Sequence, residues 1–210
     1  MILTGDDGEF LAIDDVSLGV EAGEILDITG PSGSGKSTLL HALARQTTSF
    51  SGAMYLNEKP YLSYPPQIWR RLVALVQQKP ILIEGSVADN LLLPWTLRTF
   101  AKETPPNLEC LTEALESAHL GDIALDRTVD KLSVGQQARV AFLRTLLTNP
   151  EILLLDEADA ALDDASALAI GELTSAFVDA GKGAIRVRHR ADDGRATARL
   201  ILKDGALRDE

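Results

Sequence analysis

Apolar runs of strand length alternate with segments of helical periodicity along most of this 210-residue chain. Two continuous apolar runs, at residues 72–76 and 152–155, indicate strands that are buried on both faces. Further strands are predicted at 24–28 and 185–188, and a closing hairpin at 200–208. This alternation of strands and helices predicts an α/β fold with a mainly parallel sheet.

The pattern also predicts several short strands in the first third of the chain. Residues 10–13, 16–20 and 53–56 are apolar or alternating, which is typical of strands in a small antiparallel β subdomain. The core helices are predicted from periodic segments and their boundary residues, such as Gly181 after the last one. These helices are expected near residues 38–44, 67–71, 133–148 and 164–180.

The middle of the chain has a different character. Pro80, Pro94, Pro105 and Pro106 punctuate it, with helical patterns at 87–93 and 108–119 and a loop-rich stretch at 94–106. We interpret residues 80–132 as a small helical subdomain, inserted into one domain that spans 1–210. The α/β core with its β subdomain then comprises residues 1–79 and 133–210.

A glycine-rich segment lies between the predicted strand at 24–28 and the helix that follows it. It fits the pattern G-x-x-x-x-G-K-[ST] of phosphate-binding loops. The segment, hereafter the phosphate loop, comprises Gly30, Pro31, Ser32, Gly33, Ser34, Gly35, Lys36, Ser37 and Thr38. Its glycines let backbone N–H groups face anionic oxygens, and the helix N-terminus adds partial positive charge. Lys36 can reach the β- and γ-phosphates, and Ser37 can ligate Mg²⁺. The alternative is a glycine-rich turn that matches the sequence pattern by chance.

Polar side chains follow three of the predicted strands, where catalytic groups of parallel sheets gather. Asp156 suits a metal ligand and Glu157 a general base. Gln78 can touch the metal or the attacking water, and His189 can hydrogen-bond the γ-phosphate. Each has a structural alternative, since a lone Asp often belongs to a turn and a lone His is more often structural.

Charge and cysteine content narrow the functional classes. The formal net charge of −11 argues against a nucleic-acid partner, which favours a basic face. Cys110 is the only cysteine in the sequence, so neither an internal disulfide nor a cysteine metal site is expected. The first residues lack the pattern of a signal peptide and no apolar run has the length of a membrane span, so a cytoplasmic location is expected.

Taken together, these motifs resemble those of the ATP-binding cassette (ABC) ATPases, over nearly the whole chain and in the family's order. The phosphate loop resembles Walker A, and Gln78 the Q-loop glutamine. Residues 152–157 resemble Walker B with its catalytic glutamate, residues 160–163 the D-loop, and His189 the switch histidine. Residues 132–136, hereafter the signature segment, resemble the family's Leu-Ser-Gly-Gly-Gln.

The resemblance implies a P-loop NTPase with a RecA-like core that binds ATP and Mg²⁺ and hydrolyses ATP for a transporter. Ser37, Gln78 and Asp156 are the implied metal ligands. Two copies would close head to tail, so that Ser133, Gly135 and Gln136 of one copy reach the nucleotide of the other. The helical subdomain would dock onto an integral membrane permease at the cytoplasmic face of the inner membrane. Residues 81–95 further resemble small ATPase subunits of a Fet-type bacterial iron-export system.

Several positions depart from the family pattern. Val134 replaces the first signature glycine, and its stiff β-branched side chain is expected to weaken the signature. The position of the adenine-stacking aromatic falls near Asp7, with Phe10 the nearest aromatic, either as a stacking partner or as core. Ala158 replaces the usual proline after Glu157, and Asp159 adds a carboxylate.

Two further features of the strands are unusual. Asp27 lies in a strand predicted to be buried, so it needs a partner or water. Arg186 and Arg188 alternate with apolar residues, which predicts a half-exposed strand at a sheet edge.

Two other functions fit the motifs. A soluble ABC ATPase that acts on DNA or ribosomes is disfavoured by the acidic charge and by the lack of a coiled-coil insertion or zinc cysteines. A regulatory cassette that binds ATP but hydrolyses it weakly is favoured by Val134 and disfavoured by Glu157 and His189.

Overall fold

A six-stranded sheet supports the phosphate loop and the polar strand ends. The computed structural model describes residues 2–3, 13, 16–47, 50–79 and 81–210. Its strands are β1 (Ile2–Leu3), β2 (Ile25–Thr29), β3 (Phe50–Ser51), β4 (Tyr55–Leu56), β5 (Lys59–Pro60), β6 (Val73–Val76), β7 (Ile152–Asp156), β8 (Gly183–Val187), β9 (Ala198–Lys203) and β10 (Ala206–Asp209). Its α-helices are α1 (Lys36–Leu43), α2 (Pro66–Leu72), α3 (Val87–Leu92), α4 (Leu108–Ser117), α5 (Val134–Leu146) and α6 (Asp164–Asp179).

The main sheet has the strand order β10-β9-β2-β8-β7-β6. Neighbouring strands from β9 to β6 are parallel, and only β10 pairs antiparallel, as a hairpin with β9. The parallel direction brings the carboxyl ends of β2, β6, β7 and β8 to one edge of the sheet. The predicted α/β class with a mainly parallel sheet and closing hairpin is therefore confirmed.

The sheet separates two apolar cores. Leu153 and Leu155 face the core formed with α3 to α6, whereas Leu154, between them, faces the core that includes α1 and α2. Successive residues of a strand point to opposite faces. Because both faces of β7 are covered, its run is apolar throughout, as the pattern predicted.

The predicted helices of the middle segment are present as α3 and α4. Ser86 and Asp89 form a capping box at α3, and Asn107 caps α4 by accepting from the N–H of Cys110. Short 3-10 helices, Leu93–Thr96 and Arg98–Phe100, occupy the stretch expected to be rich in loops. Apolar side chains of α3 and α4 share one core with α5 and the sheet. The division into a core and an inserted subdomain stays a prediction.

The short strands of the first third are only partly as predicted. Residues 16–20 form no strand, although Val16 is buried, because alternation reports which side chains face the core and not whether a partner strand lies alongside. The run at 53–56 is a strand only at Tyr55–Leu56, paired antiparallel with Lys59–Pro60. Phe10 and Asp7, the candidates near the adenine position, lie outside the described residues.

The expectation that the strand at 185–188 lies at a sheet edge is wrong. Strand β8 lies between β2 and β7, and all of its residues are buried. Arg186 is buried because Asp27, its direct neighbour in the register of β2 and β8, neutralises it. Two of the unusual charges of the sequence, Asp27 and Arg186, are therefore partners of each other. Across the described residues, no helix combines the length and the apolar character needed to cross a membrane.

Candidate active site

The phosphate loop connects β2 to α1 through backbone angles that favour glycine. Gly33 has φ 77° and Gly35, the N-cap of α1, has φ 98°. Gly30 has φ 141°, and a Cβ there would lie 2.2 Å from the carbonyl oxygen of Leu202. A side chain at Gly30 would therefore collide with backbone as well as strain the turn.

Lys36 is buried at the start of α1, inside the phosphate loop. Its Nζ donates to the carbonyl oxygens of Gly30 at 2.9 Å and Pro31 at 2.8 Å. Burial lowers the pKa of this ammonium, and the nearby carboxylates of Glu157 and Asp156 oppose that shift. The cation is thus held at the loop by uncharged carbonyl oxygens, which an anionic phosphate oxygen can replace.

The loop fits a triphosphate and a hard cation. Ser34 Oγ is buried without a hydrogen-bond partner among the described residues, which suits a donor to an anionic oxygen. Ser37 Oγ donates to Asp156 Oδ1 at 2.9 Å. A hydroxyl beside a carboxylate is the oxygen donor set that Mg²⁺ favours together with substrate phosphates.

Glu157 lies between the other two polar strand ends. Gln78 Nε2 donates to Glu157 Oε2 at 3.0 Å, and His189 Nε2 lies 2.8 Å from Glu157 Oε1. These side chains follow β6, β7 and β8, which are consecutive in the sheet. The structure thus brings Gln78, Glu157 and His189 together, with Asp156 and Ser37 beside them.

The backbone at Glu157 is unusual. Its φ is 50°, a left-handed value that non-glycine residues seldom adopt. Its N–H donates to the carbonyl of Val187 at 3.0 Å, which ties the end of β7 to the end of β8. Such strained angles persist where surrounding contacts fix them, and they often occur at functional sites.

The signature segment forms the N-terminus of α5. Ser133 is the N-cap and forms a capping box with Gln136, as the sequence predicted for the cap. Gly135 packs against α6, where a Cβ would lie 2.1 Å from Ser166 Oγ. Val134 is the first helical residue and is 61% exposed.

Val134 has no positive φ, so its backbone does not demand glycine. The side chains of Ser133 and Gln136 form the capping box with each other's backbone N–H groups. Lys36 donates to carbonyl oxygens of the phosphate loop, and Ser37 donates to Asp156. Within one chain, the signature segment and the phosphate loop thus use separate partners.

Sequence reasoning missed the ion pairs behind the site. Arg188 contacts Asp159 at 2.9 Å, and Arg186 contacts Asp27 and Asp193. The unexplained carboxylate of Asp159 thereby gains a partner. The alternation of arginines in β8 was the available signal, but pairing them required knowledge of the neighbouring strands.

Comparison with known proteins places these motifs in a family context. The family described as "ABC transporter" matches residues 13–160. The chain is similar to "Probable iron export ATP-binding protein FetA" of Escherichia coli (strain K12), with 33% identity over 81% of this chain and 74% of that protein. It is 38% identical to "Spermidine/putrescine import ATP-binding protein PotA" of Nitrosospira multiformis, over 74% of this chain and 42% of that protein.

Longer proteins match as well. An "ATP-dependent lipid A-core flippase" of Polaromonas sp. is 32% identical over 92% of this chain and 33% of that protein. Among solved structures, a bacterial Atm1-family ABC exporter with ATP bound superposes with a TM-score of 0.82 and 27% identity, over 99% of this chain and 37% of that chain. The chain thus spans most of the first relative but less than half of the others.

Proposed function

The chain belongs to the ABC transporter family of ATPases, and we propose that it is the ATP-hydrolysing subunit of a transporter whose permease is a separate chain. The observation that carries the proposal is the position of Glu157. Its carboxylate lies between Gln78 and His189, at the end of the strand whose last residue, Asp156, contacts Ser37 of the phosphate loop.

In the proposed mechanism, Glu157 is the general base. The amide of Gln78 and the Nε2 proton of His189 hold its two oxygens, so that a remaining lone pair can accept the proton of the attacking water. The same contacts hold the carboxylate in one orientation before water arrives. His189 would also stabilise the charge that develops on the reacting phosphate.

The phosphate loop supplies the binding groups in this proposal. Lys36 would exchange the carbonyls of Gly30 and Pro31 for β- and γ-phosphate oxygens, and Ser34 would donate from its unpaired hydroxyl. Ser37 and Asp156, with Gln78 nearby, would hold Mg²⁺. When bound, the ion neutralises phosphate charge.

We further propose that two copies complete each ATP site head to tail. Ser133, Gly135 and Gln136 belong to the N-terminus of α5, whose partial positive charge favours anions. Ser133 is exposed, so the start of α5 can face the phosphates that a second copy binds. The likeness to an exporter with ATP bound supports this arrangement.

The transport role implies a location and a partner. We propose that residues 80–132 contact an integral membrane permease at the cytoplasmic face of the inner membrane. The proposed cargo is iron and the proposed direction is export, and the similarity to the E. coli protein supports both. Detergent extracts of the native host should retain one multi-span membrane protein with the tagged chain, and vesicles holding both should move iron only with ATP.

The variant Glu157→Gln tests the mechanism. It should reduce ATP turnover by at least about 1,000-fold, because the general base is lost while phosphate binding stays intact. It should also accumulate as an ATP-bound dimer in size-exclusion chromatography. Glu113→Gln, which changes an exposed glutamate of α4, is the matched control and should behave like the wild type. Turnover that survives in Glu157→Gln would remove Glu157 from the mechanism.

A further inference from the structure

A network of paired charges, most of them buried or half-buried, runs across the sheet behind the candidate active site. Arg186 donates to both oxygens of Asp27, at 2.6 and 2.9 Å, and to both oxygens of Asp193, at 3.0 and 3.1 Å. Asp193 also contacts Arg188 at 2.9 Å, and Arg188 contacts Asp159 at 2.9 Å. Acidic and basic side chains thus alternate from β2, across β8, to the segment after β7.

The register of the strands explains why the network is possible. Residues 186 and 188 are two positions apart in an extended segment, so their side chains project to the same face. Arg186 lies directly opposite Asp27 in the pairing of β2 with β8. The side chains of Arg188 and Asp159 are only 9% and 12% exposed. Buried charges of this kind are tolerated only when they are paired.

The network ends beside the proposed general base. Arg188 immediately precedes His189, and Asp159 lies two residues after Glu157. Both Nε and Nη2 of Arg188 donate to Oδ2 of Asp159, at 3.2 and 2.9 Å. The ion pair therefore joins the two segments whose side chains meet at the 2.8 Å contact of His189 and Glu157.

A second arginine holds the same segment from the other side of His189. Arg190 donates to the carbonyl oxygens of Asp159 at 3.1 Å and Leu162 at 2.9 Å. It also forms an ion pair with Asp164, the first residue of α6. The residues directly before and after His189 are therefore arginines, and both guanidinium groups contact the segment that follows Glu157.

We propose that Arg188 is a positioning residue for ATP hydrolysis, whose ion pair with Asp159 holds His189 against Glu157. This inference rests on the proposed function, because it takes Glu157 as the base. Arg188 acts through its neighbours. The planar guanidinium provides two donors to one carboxylate, a geometry that the point charge of lysine does not reproduce.

Kinetic measurements on the full chain test the inference. Arg188→Met and Asp159→Asn should each lower kcat by about tenfold to a hundredfold, the cost of a small misplacement of catalytic groups. The KM for ATP should stay within about twofold, because neither side chain contributes to the phosphate loop. Arg188→Lys should recover part of the loss. Asp159→Asn leaves Arg188 paired with Asp193, so this variant should fold even where Arg188→Met does not.

The double variant separates positioning from independent damage. If the two residues act as one pair, Arg188→Met/Asp159→Asn should be about as slow as the slower single variant. Arg199→Ala is the matched control, because it removes an arginine from an exposed ion pair with Asp192. It should leave kcat unchanged.

A spectroscopic measurement does not depend on turnover. The sequence has three histidines, so the imidazole ¹⁵N signals of His189 can be assigned by comparison with His189→Asn. These signals should move in Arg188→Met and Asp159→Asn, and should not move in Arg199→Ala. If the ion pair had a merely structural role, its loss in these two variants would lower the melting temperature and leave the His189 signals unmoved.

The outcomes distinguish this inference from the proposed function. An unchanged kcat with unmoved His189 signals in both variants would overturn the positioning role, as would losses that multiply in the double variant. Turnover that persists in Glu157→Gln would instead overturn the proposed function. An inactive Glu157→Gln beside a fully active Arg188→Met would reject the positioning role alone.

Discussion

At the scale of single residues, Val134 shows how a side chain can matter without strain in its own backbone. It is the first residue of α5, has no positive φ, and is 61% exposed. The family's glycine is therefore not needed for this turn. In the proposed dimer, however, the isopropyl group of Val134 lies where the phosphates of the ATP bound to the second copy approach the N-terminus of α5.

The variant Val134→Gly should raise the ATPase rate of the dimer. Removing the side chain lets the N–H groups of α5 come closer to the phosphates, and we expect about a fivefold rise in kcat, equivalent to about 1 kcal/mol. Steady-state hydrolysis with saturating ATP measures the effect, and Val134→Ala should give an intermediate rate. An unchanged or lower rate for Val134→Gly would contradict a steric role for Val134.

Gly135 has a structural reason to be glycine. A Cβ at this position would lie 2.1 Å from Ser166 Oγ and 2.9 Å from Asp163 Oδ2. Helix α5 therefore approaches the start of α6 more closely than any side chain would permit. Gly135 is also proposed to face a phosphate. A substitution there would first disturb the packing of α5 against α6, and only then the binding of ATP.

The variant Gly135→Ala should lower the free energy of unfolding by about 1–3 kcal/mol, because the added methyl group overpacks the contact with α6. Urea denaturation followed by circular dichroism measures the change. Gly19→Ala is the control, since a Cβ there meets no atom within 4 Å. Adding Ser166→Gly to Gly135→Ala should restore part of the loss, and no restoration would show that the collision is not the cause.

At the scale of elements, the N-terminus of α6 is held by a charged cap. Asp163 accepts from the N–H of Ser166 at 2.8 Å and from its hydroxyl at 3.0 Å. These hydrogen bonds, the backbone one first, lower the pKa of the Asp163 carboxyl from its ordinary value of 3.8. The helix dipole also favours a negative charge at this position.

The lowered pKa predicts a stability that depends on pH. A carboxyl whose pKa is lower in the folded than in the unfolded state adds stability above its unfolded value, near 3.8. That contribution disappears as the pH falls through the folded pKa. The wild type should therefore be more stable than Asp163→Asn at pH 6, and the difference should shrink progressively below pH 3.8.

Thermal unfolding at a series of pH values measures this difference. Asparagine is also a good N-cap, so the comparison isolates the charge of Asp163. In a Ser166→Ala background, the pH-dependent part should become smaller, because one of the hydrogen bonds responsible for the shift is removed. A difference between wild type and Asp163→Asn that stays constant from pH 6 to 3 would contradict the role of the charge.

At the scale of the whole molecule, nucleotide binding should couple to folding and association. A ligand that binds only the folded state stabilises it by about 2.7 kcal/mol at a hundred times its Kd. For a chain of this size, 1 kcal/mol corresponds to about 2–4 °C in melting temperature. Mg·ATP should therefore raise the melting temperature of Glu157→Gln by about 5–11 °C.

Control measurements identify which phosphates of the nucleotide and which side chain of the protein take part in binding. Mg·AMP should give almost no shift, because the phosphate loop is proposed to hold the β- and γ-phosphates. Glu157→Gln/Lys36→Ala should lose the shift with Mg·ATP. If two chains share the nucleotide, the melting temperature with ATP should also rise with protein concentration. A shift that does not depend on protein concentration would contradict the head-to-tail dimer.

The order of the main elements and most of the candidate site follow from local patterns in the sequence. Period-2 and period-3.6 patterns are local, and the strand, phosphate loop and helix of residues 25–43 follow from neighbouring residues alone. Gln78, Glu157 and His189 were recognisable because each follows a predicted strand. In a parallel sheet, such positions converge at one edge.

The pairing of the charges, in contrast, depends on how distant segments meet in the folded chain. The sequence predicted an exposed edge for Arg186 and gave no role to Asp159, because the order and register of strands depend on contacts between distant segments. Asp27 and Arg186 are opposite one another only because β2 and β8 are neighbours. Likewise, the steric demand at Gly135 comes from the approach of α6, which no local pattern encodes.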